Sequence, residues 1–176
     1  MKLITGGAYQ GKLAYAKETY GIKDGWIDGR SCALEEIWEC SGISDFHEYV
    51  RRMMTEEKRE DVPDCFTGKK SKEGTEDPAG AENQTDVKVH GKAAENKPEK
   101  AFTAVSIGED AAVFIKNLYE KNPSVVIVSN ELGCGIVPVE RFDRMWREMV
   151  GRMCVCAAGY SDEVVRVVCG LGMKLK

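Results

Sequence analysis

The first sixteen residues, MKLITGGAYQGKLAYA, place a glycine-rich turn between a short apolar segment and the start of a helix. Gly6, Gly11 and Lys12 fit the spacing G-x-x-x-x-G-K. Glycine lets backbone N–H groups surround an anion, and lysine adds a positive charge near the outer phosphates. The positive end of the following helix would point to the same place. We therefore predict a phosphate-binding loop whose nucleotide-binding residues are Gly6, Gly7, Ala8, Tyr9, Gln10, Gly11, Lys12 and Leu13.

Leu13 stands where this pattern usually has Ser or Thr, whose hydroxyl binds Mg²⁺. Leucine has no oxygen to offer, so Mg²⁺ would be held by phosphates, water and one acidic side chain. We expect Lys12 to be exposed in the free protein, so that replacing it would remove nucleotide binding and leave the fold intact.

The net charge of −4 argues against a general binder of nucleic acids or membrane surfaces, because both favour a basic face. No apolar run is long enough to cross a bilayer, and the N-terminus is unlike a signal peptide. The seven cysteines are scattered and contain no C-x-x-C, which is typical of reduced thiols in a cytoplasmic protein. Cys154 and Cys156 form a C-x-C pair, but without a second pair we assign no protein metal site.

Residues 55–100 contain 21 charged residues and few large apolar ones. Such a segment cannot bury enough apolar surface to offset its ordering entropy. We predict a single domain over 1–176, interrupted by a charged, disordered or loosely ordered insertion at 55–100.

The remaining sequence alternates between strand and helix patterns. The run VVIVS at 125–129 is apolar and β-branched throughout, as in strands covered on both faces. This alternation predicts an α/β sandwich with a mostly parallel sheet. The predicted strands are 2–5, 25–28, 125–129, 163–169 and a short one at 173–175, and the predicted helices are 12–20, 33–39, 44–54, 110–122 and 140–159.

Two further motifs lie in the C-terminal third. The stretch VIVSNELGCGIVP at 126–138 contains the pattern N-E-x-G-x-G-x-V-P, and R-x-x-R-x-x-x-G-R follows it. Together with the opening ITGGAYQGK, these motifs resemble the bifunctional adenosylcobinamide kinase / adenosylcobinamide-phosphate guanylyltransferase family of cobalamin biosynthesis. The resemblance covers about the first 20 and the last 50 residues, in the same order.

The resemblance implies a P-loop NTPase fold of the RecA-like type, with a mostly parallel sheet sandwiched by helices. It also implies two reactions. A nucleoside triphosphate, ATP or GTP, phosphorylates the aminopropanol hydroxyl of adenosylcobinamide. GMP is then transferred from GTP to that phosphate through a guanylylated histidine. The residues implied to form the loop beside the nucleotide are Asn130, Glu131, Gly133, Gly135, Val137 and Pro138, and Arg144, Arg147 and Gly151 would lie in the helix after it.

The chain also departs from the family pattern. Leu13 replaces the serine of the phosphate-binding loop, and the His-rich stretch that carries the guanylylated histidine has no clear counterpart. The usual Asn-Gln pair reads Cys154-Val155. These differences count heavily against guanylyl transfer and less heavily against kinase activity.

Glu131 follows the apolar strand at 125–129, at the edge where ligands bind in open parallel sheets. It could hold Mg²⁺ through water or act as general base for the attacking hydroxyl, although a solvated carboxylate is the plain alternative. Asp28 is a similar candidate, or a turn residue beside Gly29. His47 could be the nucleophile, but a packed helix residue is favoured.

Three tryptophans, Trp26, Trp38 and Trp146, are more typical of a core than of a corrinoid pocket. The catalytic candidates are therefore Lys12, Glu131 and, more weakly, His47. The rival hypothesis is a degenerate relative that binds nucleotide or corrinoid without turnover. The expected partners are a nucleoside triphosphate and a corrinoid, with homo-oligomerisation left open.

Overall fold

The computed structural model describes residues 1–56 and 104–176. The elements in these ranges are β1 (Lys2–Thr5), α1 (Lys12–Tyr20), β2 (Trp26–Asp28), a 3-10 helix (Leu34–Trp38), β3 (Gly42–Ser44), α2 (Phe46–Glu56), α3 (Ala104–Lys121), β4 (Val126–Val128), a second 3-10 helix (Leu132–Cys134), α4 (Arg141–Tyr160), β5 (Glu163–Val168) and β6 (Leu171–Lys174). The insertion predicted at 55–100 lies outside the described residues, apart from the last two residues of α2.

The six strands form one sheet in the order β2-β3-β4-β1-β5-β6. All neighbouring strands are parallel except β5 and β6, which are antiparallel. β1 is central, and Leu3 lies opposite Ile127 of β4 and Val164 of β5. The predicted α/β class with a mostly parallel sheet is confirmed.

The two faces of the sheet carry separate cores, because successive side chains of a strand point to opposite sides. Leu3 belongs to the larger core, which α2, α3 and α4 cover. Ile4 belongs to the smaller core, which α1 covers through Ala16. Helices therefore lie on both faces, as predicted.

The strand β3 was missed, because the sequence pattern predicted a helix beginning at Ser44. β3 has only three residues, and its central Ile43 is fully buried between two parallel neighbours. A Cβ atom on Gly42 would lie 2.7 Å from the Trp26 ring, so a side chain there would clash with β2. A strand specified by close packing across the sheet leaves too little local pattern to predict.

Other element boundaries also differ from the predictions. The helix predicted at 33–39 is a 3-10 helix, and α3 begins at Ala104 rather than at residue 110. The final strand begins two residues earlier than predicted, at Leu171. Among the described helices, none is both long and apolar enough to cross a membrane.

Candidate nucleotide site

The candidate site lies at the edge of the sheet where the parallel strands end. The loop of residues 6–11 follows β1, and Asn130 and Glu131 follow β4. Asp45 follows β3, and Asp28 is the last residue of β2. Because parallel strands end at the same edge, residues far apart in sequence meet there, and this edge is where open α/β sheets bind ligands.

The glycine loop begins with a conformation that only glycine accommodates. Gly6 has φ +150°, and a Cβ atom there would lie 2.4 Å from the carbonyl oxygen of Val167. Gly11 precedes α1 in the left-handed region, with φ +81°. These two glycines let the chain leave β1 beside β5 and turn back into a helix. The structure therefore explains the spacing of both glycines.

The loop is also tied to the turn between β5 and β6. The backbone N–H of Gly170 donates to the carbonyl oxygen of Gln10 at 3.0 Å, and the N–H of Cys169 donates to Oε1 of Gln10 at 2.7 Å. Tyr9, the residue before Gln10, is fully exposed and has a φ of +60°. Gln10 thus joins the loop to this turn through both its backbone and its side chain.

Lys12 is buried, contrary to the expectation that it would be exposed. Its side chain is 7% exposed, and Nζ donates to the carbonyl oxygen of Gly7 at 2.6 Å and to Oδ1 of Asn130 at 2.5 Å. Burial lowers the pKa of Lys12, while the charges of Asp45 and Glu131 raise it. The sequence could not reveal this, because the covering residues come from other strands.

Asn130 connects Lys12 to the helix α2. Its side-chain nitrogen lies 2.9 Å from Nε2 of His47, and its backbone nitrogen lies 3.4 Å from Nδ1. His47 is 4% exposed, and its ring stacks on Trp146 with 6.3 Å between the ring centroids. The indole N–H of Trp146 donates to the carbonyl oxygen of His47 at 2.7 Å. His47 is therefore packed, and Trp146 of α4 contacts it from the side of the larger core.

Glu131 borders the glycine loop directly. Its backbone N–H donates to the carbonyl oxygen of Gly6 at 3.0 Å. Its carboxylate accepts two hydrogen bonds from the guanidinium of Arg166, at 3.0 and 2.9 Å. Arg166 was not among the predicted site residues. A charged residue within the otherwise apolar run VVRVV of β5 is the signal that could have identified it.

Asp45 is a second residue that the predictions missed, because it follows the unpredicted strand β3. Its φ of +50° is uncommon for a residue with a side chain. It forms an ion pair with Arg30 at 2.9 Å. Burial lowers the pKa of both Lys12 and His47, and the charge of Asp45 opposes that shift. Asp28 accepts a hydrogen bond from the N–H of Arg30 at 2.9 Å, which is the contact expected of a turn residue.

The rest of the loop after β4 lies at the surface. Gly133 and Gly135 are exposed, and Val137 is 65% exposed. The guanidinium of Arg147 donates to the carbonyl oxygens of Gly133, Gly135 and Ile136, and that of Arg144 donates to those of Pro138 and Val139. Both arginines of the R-x-x-R motif thus hold the backbone of the N-E-x-G-x-G-x-V-P loop.

The remaining candidates are accounted for by packing. Trp38 packs against Phe114 with 5.7 Å between ring centroids, and Trp26 packs against the smaller core. Among the residues that the structure describes, no group of three or more His, Cys, Asp and Glu side chains could hold a metal ion.

A glycine-rich loop with a buried lysine, set between the central strand and the first helix, defines a P-loop protein of the α/β class. The sequence model of the family described as cobinamide kinase / cobinamide phosphate guanyltransferase matches residues 79–175, and the chain belongs to this family. The match begins within the charged segment and includes the loop after β4. The glycine loop lies outside it.

Two curated relatives are each named bifunctional adenosylcobalamin biosynthesis protein CobU. The one from Salmonella typhimurium (strain LT2) is 38% identical over 85 residues, which cover 47% of this chain and 47% of the relative. The one from Escherichia coli (strain K12) is 46% identical over 52 residues, covering 30% and 29%. The aligned part thus spans about half the length of the first relative and less of the second.

Proposed function

We propose that this protein is a cobinamide kinase, which transfers the γ-phosphoryl group of a nucleoside triphosphate to the aminopropanol hydroxyl of adenosylcobinamide. The observation that carries the proposal is the contact between Lys12 Nζ and Asn130 Oδ1. It brings the glycine loop from one end of the chain against the N-E-x-G-x-G-x-V-P loop from the other. The description of the family supports a cobinamide acceptor.

Lys12 and the loop at 6–11 would bind the triphosphate. The loop supplies backbone N–H groups, and the positive end of α1 faces the same space. Lys12 would exchange the carbonyl oxygen of Gly7 for phosphate oxygens, since a charged acceptor makes the stronger hydrogen bond. Its burial makes the charge interaction stronger than it would be in water.

The residues present fit a nucleotide-bound Mg²⁺ better than a resident one. Leu13 offers no side-chain ligand, but the charges of Asp45 and Glu131 reach Lys12, where they oppose the burial that lowers its pKa. One of these carboxylates would hold Mg²⁺ through water, beside the phosphates. When bound, Mg²⁺ neutralises charge that develops on the phosphate oxygens. Both oxygens of Glu131 accept hydrogen bonds from Arg166, which fixes the carboxylate in place and suits an orienting role better than proton uptake.

In the proposed reaction the hydroxyl oxygen of the acceptor attacks the γ-phosphorus. The bond from phosphorus to the β,γ-bridging oxygen breaks, and the nucleoside diphosphate leaves with that electron pair. The hydroxyl proton passes to a carboxylate or to water. Lys12 stabilises charge on the transferred group and on the leaving oxygen.

Guanylyl transfer would need a different residue from His47. A nucleophilic imidazole requires one ring nitrogen facing the α-phosphate. Both nitrogens of His47 face Asn130, and the ring is 4% exposed.

Leu13 favours a second candidate function, because it lacks the hydroxyl that binds Mg²⁺ in phosphate-binding loops. This second candidate is a binding module that holds nucleotide or corrinoid without turnover.

The test is titration of the purified protein with ATP and with GTP, with and without Mg²⁺, followed by adenosylcobinamide turnover on the same sample. Mg²⁺-dependent binding with phosphate transfer supports the kinase, and it identifies the nucleotide used. Binding without transfer supports the binding module. Absence of nucleotide binding contradicts the kinase and a nucleotide-binding module, and leaves only a module that holds corrinoid.

Lys12→Ala supplies the matched test of the site. We expect it to weaken nucleotide binding about 10- to 100-fold, because it removes a charged hydrogen-bond donor. The control is Lys116→Ala on α3, which removes a lysine that is 61% exposed and pairs only with Glu120, as far as the described contacts show. Unchanged affinity in Lys12→Ala would contradict the phosphate-binding loop.

We also propose that the protein acts in the cytoplasm. The six cysteines in the described ranges are all free, including the exposed Cys134 and Cys169. Exposed free thiols are typical of a reducing compartment. Fractionation of the native cells, followed by measurement of the protein's thiol content under non-reducing conditions, tests this.

A further inference from the structure

The turn that follows β2 holds the backbone of Arg30 at the edge of the sheet where the parallel strands end. The N–H of Gly29 donates to the carbonyl oxygen of Ser44 at 2.9 Å, and a Cβ atom on Gly29 would lie 2.4 Å from the carbonyl oxygen of Asp45. Oδ1 of Asp28 accepts the N–H of Arg30 at 2.9 Å. Close packing against the end of β3 and this hydrogen bond therefore fix the point from which the Arg30 side chain extends.

The side chain of Arg30 is held much less firmly than its backbone. It is 64% exposed, and Nη2 lies 2.9 Å from Oδ2 of Asp45. Within the residues that the structure describes, this ion pair is the one polar contact of the guanidinium, although a guanidinium has several N–H donors. An exposed ion pair of this kind adds little to stability, because water and salt screen it. The guanidinium can therefore exchange Asp45 for another anion at small cost.

Asp45 is a counter-ion that Arg30 shares with Lys12. Burial lowers the pKa of Lys12, and the charge of Asp45 opposes that shift more strongly than the charge of Glu131 does. Burial also lowers the pKa of His47, and the charges of Lys12 and Arg30 lower it further. Lys12 and Arg30 thus act electrostatically on the same group of residues, although they follow strands that are not neighbours.

A triphosphate bound at Lys12 would change the balance of charge around Asp45. Its phosphates would bring several negative charges near a carboxylate, and like charges repel. Arg30 is the exposed cation that already contacts this carboxylate. A guanidinium forms paired, charge-assisted hydrogen bonds with phosphate oxygens, which are stronger than a single screened contact with a carboxylate. The bound nucleotide would therefore attract the guanidinium away from Asp45.

We propose that Arg30 is a phosphate-binding residue, whose guanidinium leaves Asp45 and binds the terminal phosphate of the nucleoside triphosphate. The inference rests on the proposed function, in which Lys12 and the glycine loop bind the triphosphate. Lysine in this loop pattern contacts the outer phosphates, and Arg30 approaches Lys12 from the side of β2 and β3. Its guanidinium would meet the phosphate that lies farthest from the glycine loop. Arg30 would thereby distinguish triphosphate from diphosphate and stabilise charge on the transferred group.

The test compares the binding of triphosphate and diphosphate by two variants of Arg30 and the wild type. The probes are Mg-ATP and Mg-GTP, each beside the corresponding diphosphate. We expect Arg30→Ala to weaken triphosphate binding about 10-fold and diphosphate binding by less than about threefold, because only the triphosphate reaches the guanidinium. Arg30→Lys should fall between Arg30→Ala and the wild type, since it keeps the charge and loses the paired donors. Equal losses for both nucleotides, or no loss, would overturn the inference.

Arg152→Ala is the matched control. Arg152 is an arginine of α4 that is 46% exposed and forms an ion pair with Glu148 at 2.8 Å. The substitution removes the same charge and should leave both affinities unchanged. Both alanine variants should keep melting temperatures close to that of the wild type. A loss of triphosphate affinity in Arg152→Ala as large as that in Arg30→Ala would contradict a specific contact.

A double-mutant cycle separates phosphate binding from the support of Asp45. If Arg30 binds the phosphate, Arg30→Ala should still weaken triphosphate binding about 10-fold in an Asp45→Asn background. If Arg30 only orients Asp45, Arg30→Ala should have no effect there, and the inference fails. Unchanged affinity in Lys12→Ala would instead contradict the proposed function, so the two failures are distinguished.

Chemical modification gives a readout on the wild-type protein. A dicarbonyl reagent that modifies arginine should label the exposed Arg30 in the free protein, as determined by peptide mapping. Saturating triphosphate should largely block this labelling, and diphosphate should not. Equal labelling with and without triphosphate would overturn the inference even if the variants failed to fold.

Discussion

The guanidinium of Arg166 on β5 donates two hydrogen bonds to the carboxylate of Glu131, at 3.0 and 2.9 Å. The pair joins β5 to the loop that follows β4, and β4 and β5 are the two strands that pair with β1. The carboxylate raises the pKa of Arg166, so the guanidinium stays charged. The pair therefore fixes the distance between the loop after β4 and Arg166 within β5.

This pair predicts different outcomes for two substitutions at one position. Arg166→Lys keeps the positive charge but loses the pair of parallel donors, and Arg166→Ala loses both the charge and the donors. Because Arg166 is 44% exposed, we expect either variant to retain a melting temperature close to that of the wild type. Cobinamide phosphorylation should fall in both, more in Arg166→Ala. Thermal unfolding and kcat on the same samples check this, and a large loss of stability with unchanged kcat would contradict it.

Gly6→Ala should damage the loop itself. Its added Cβ atom would lie 2.4 Å from the carbonyl oxygen of Val167, in a backbone conformation with φ +150°. The strain alone costs about 1 to 3 kcal/mol in free energy of unfolding. Gly133→Ala is the control, because its Cβ atom would meet nothing within 4 Å. The measurement is the free energy of unfolding of both variants in denaturant. Equal values would contradict the prediction and show that the loop relaxes around the added Cβ atom.

His47 predicts a pH dependence of stability. Burial lowers the pKa of His47 in the folded state. The positive charges of Lys12 and Arg30 lower it further, and the negative charges of Asp45 and Glu48 raise it by less than burial lowers it. The unfolded chain therefore binds a proton first as the pH falls, and stability declines below the unfolded pKa of about 6.5 until the folded pKa is passed.

The measurement is the free energy of unfolding between pH 8 and pH 5 for the wild type and His47→Gln. Carboxylates lower the stability of both proteins in acid, so the difference between the two curves isolates the histidine. That difference should be constant above about pH 7 and should shrink toward lower pH. Parallel curves over the whole range would refute the prediction.

Leu13→Ser should restore a metal-binding hydroxyl at the start of α1. Leu13 is half-buried, so the smaller side chain leaves little cavity. We expect Mg²⁺ to increase nucleotide affinity about fivefold more in the variant than in the wild type, equivalent to about 1 kcal/mol. Leu13→Ala is the control for lost volume. Identical Mg²⁺ dependence in all three proteins would show that the metal does not contact this position.

The cysteines should differ in reactivity. Burial raises the pKa of Cys40 and of Cys154 to about 11, and Cys134 and Cys169 are exposed. A brief treatment of the native protein with a thiol reagent at pH 7.5, followed by peptide mapping, should label Cys134 and Cys169. Cys40 and Cys154 should react only after unfolding, because the thiolate is the reactive form. Rapid labelling of Cys40 in the native protein would contradict the packing of the larger core.

The opening twenty residues predicted β1 and α1 with their observed ends, because the glycine turn separates two segments with strong local patterns. The apolar strand after α3 was predicted for a similar reason, since a continuous β-branched run is a local signal. β3 and Asp45 were not found, because three residues held by Trp26 and Ile127 carry almost no signal of their own.

By itself the sequence determined the alternation of strands and helices, the glycine-rich turn before α1 and the family motifs, because each depends on residues close together in the chain. Only the tertiary structure decided that Lys12 is buried against Asn130, that His47 contacts that amide, and that Arg166 holds Glu131. These contacts join positions separated by 118, 83 and 35 residues. They form because parallel strands bring distant segments to one edge of the sheet, and no local pattern specifies which side chains will meet there.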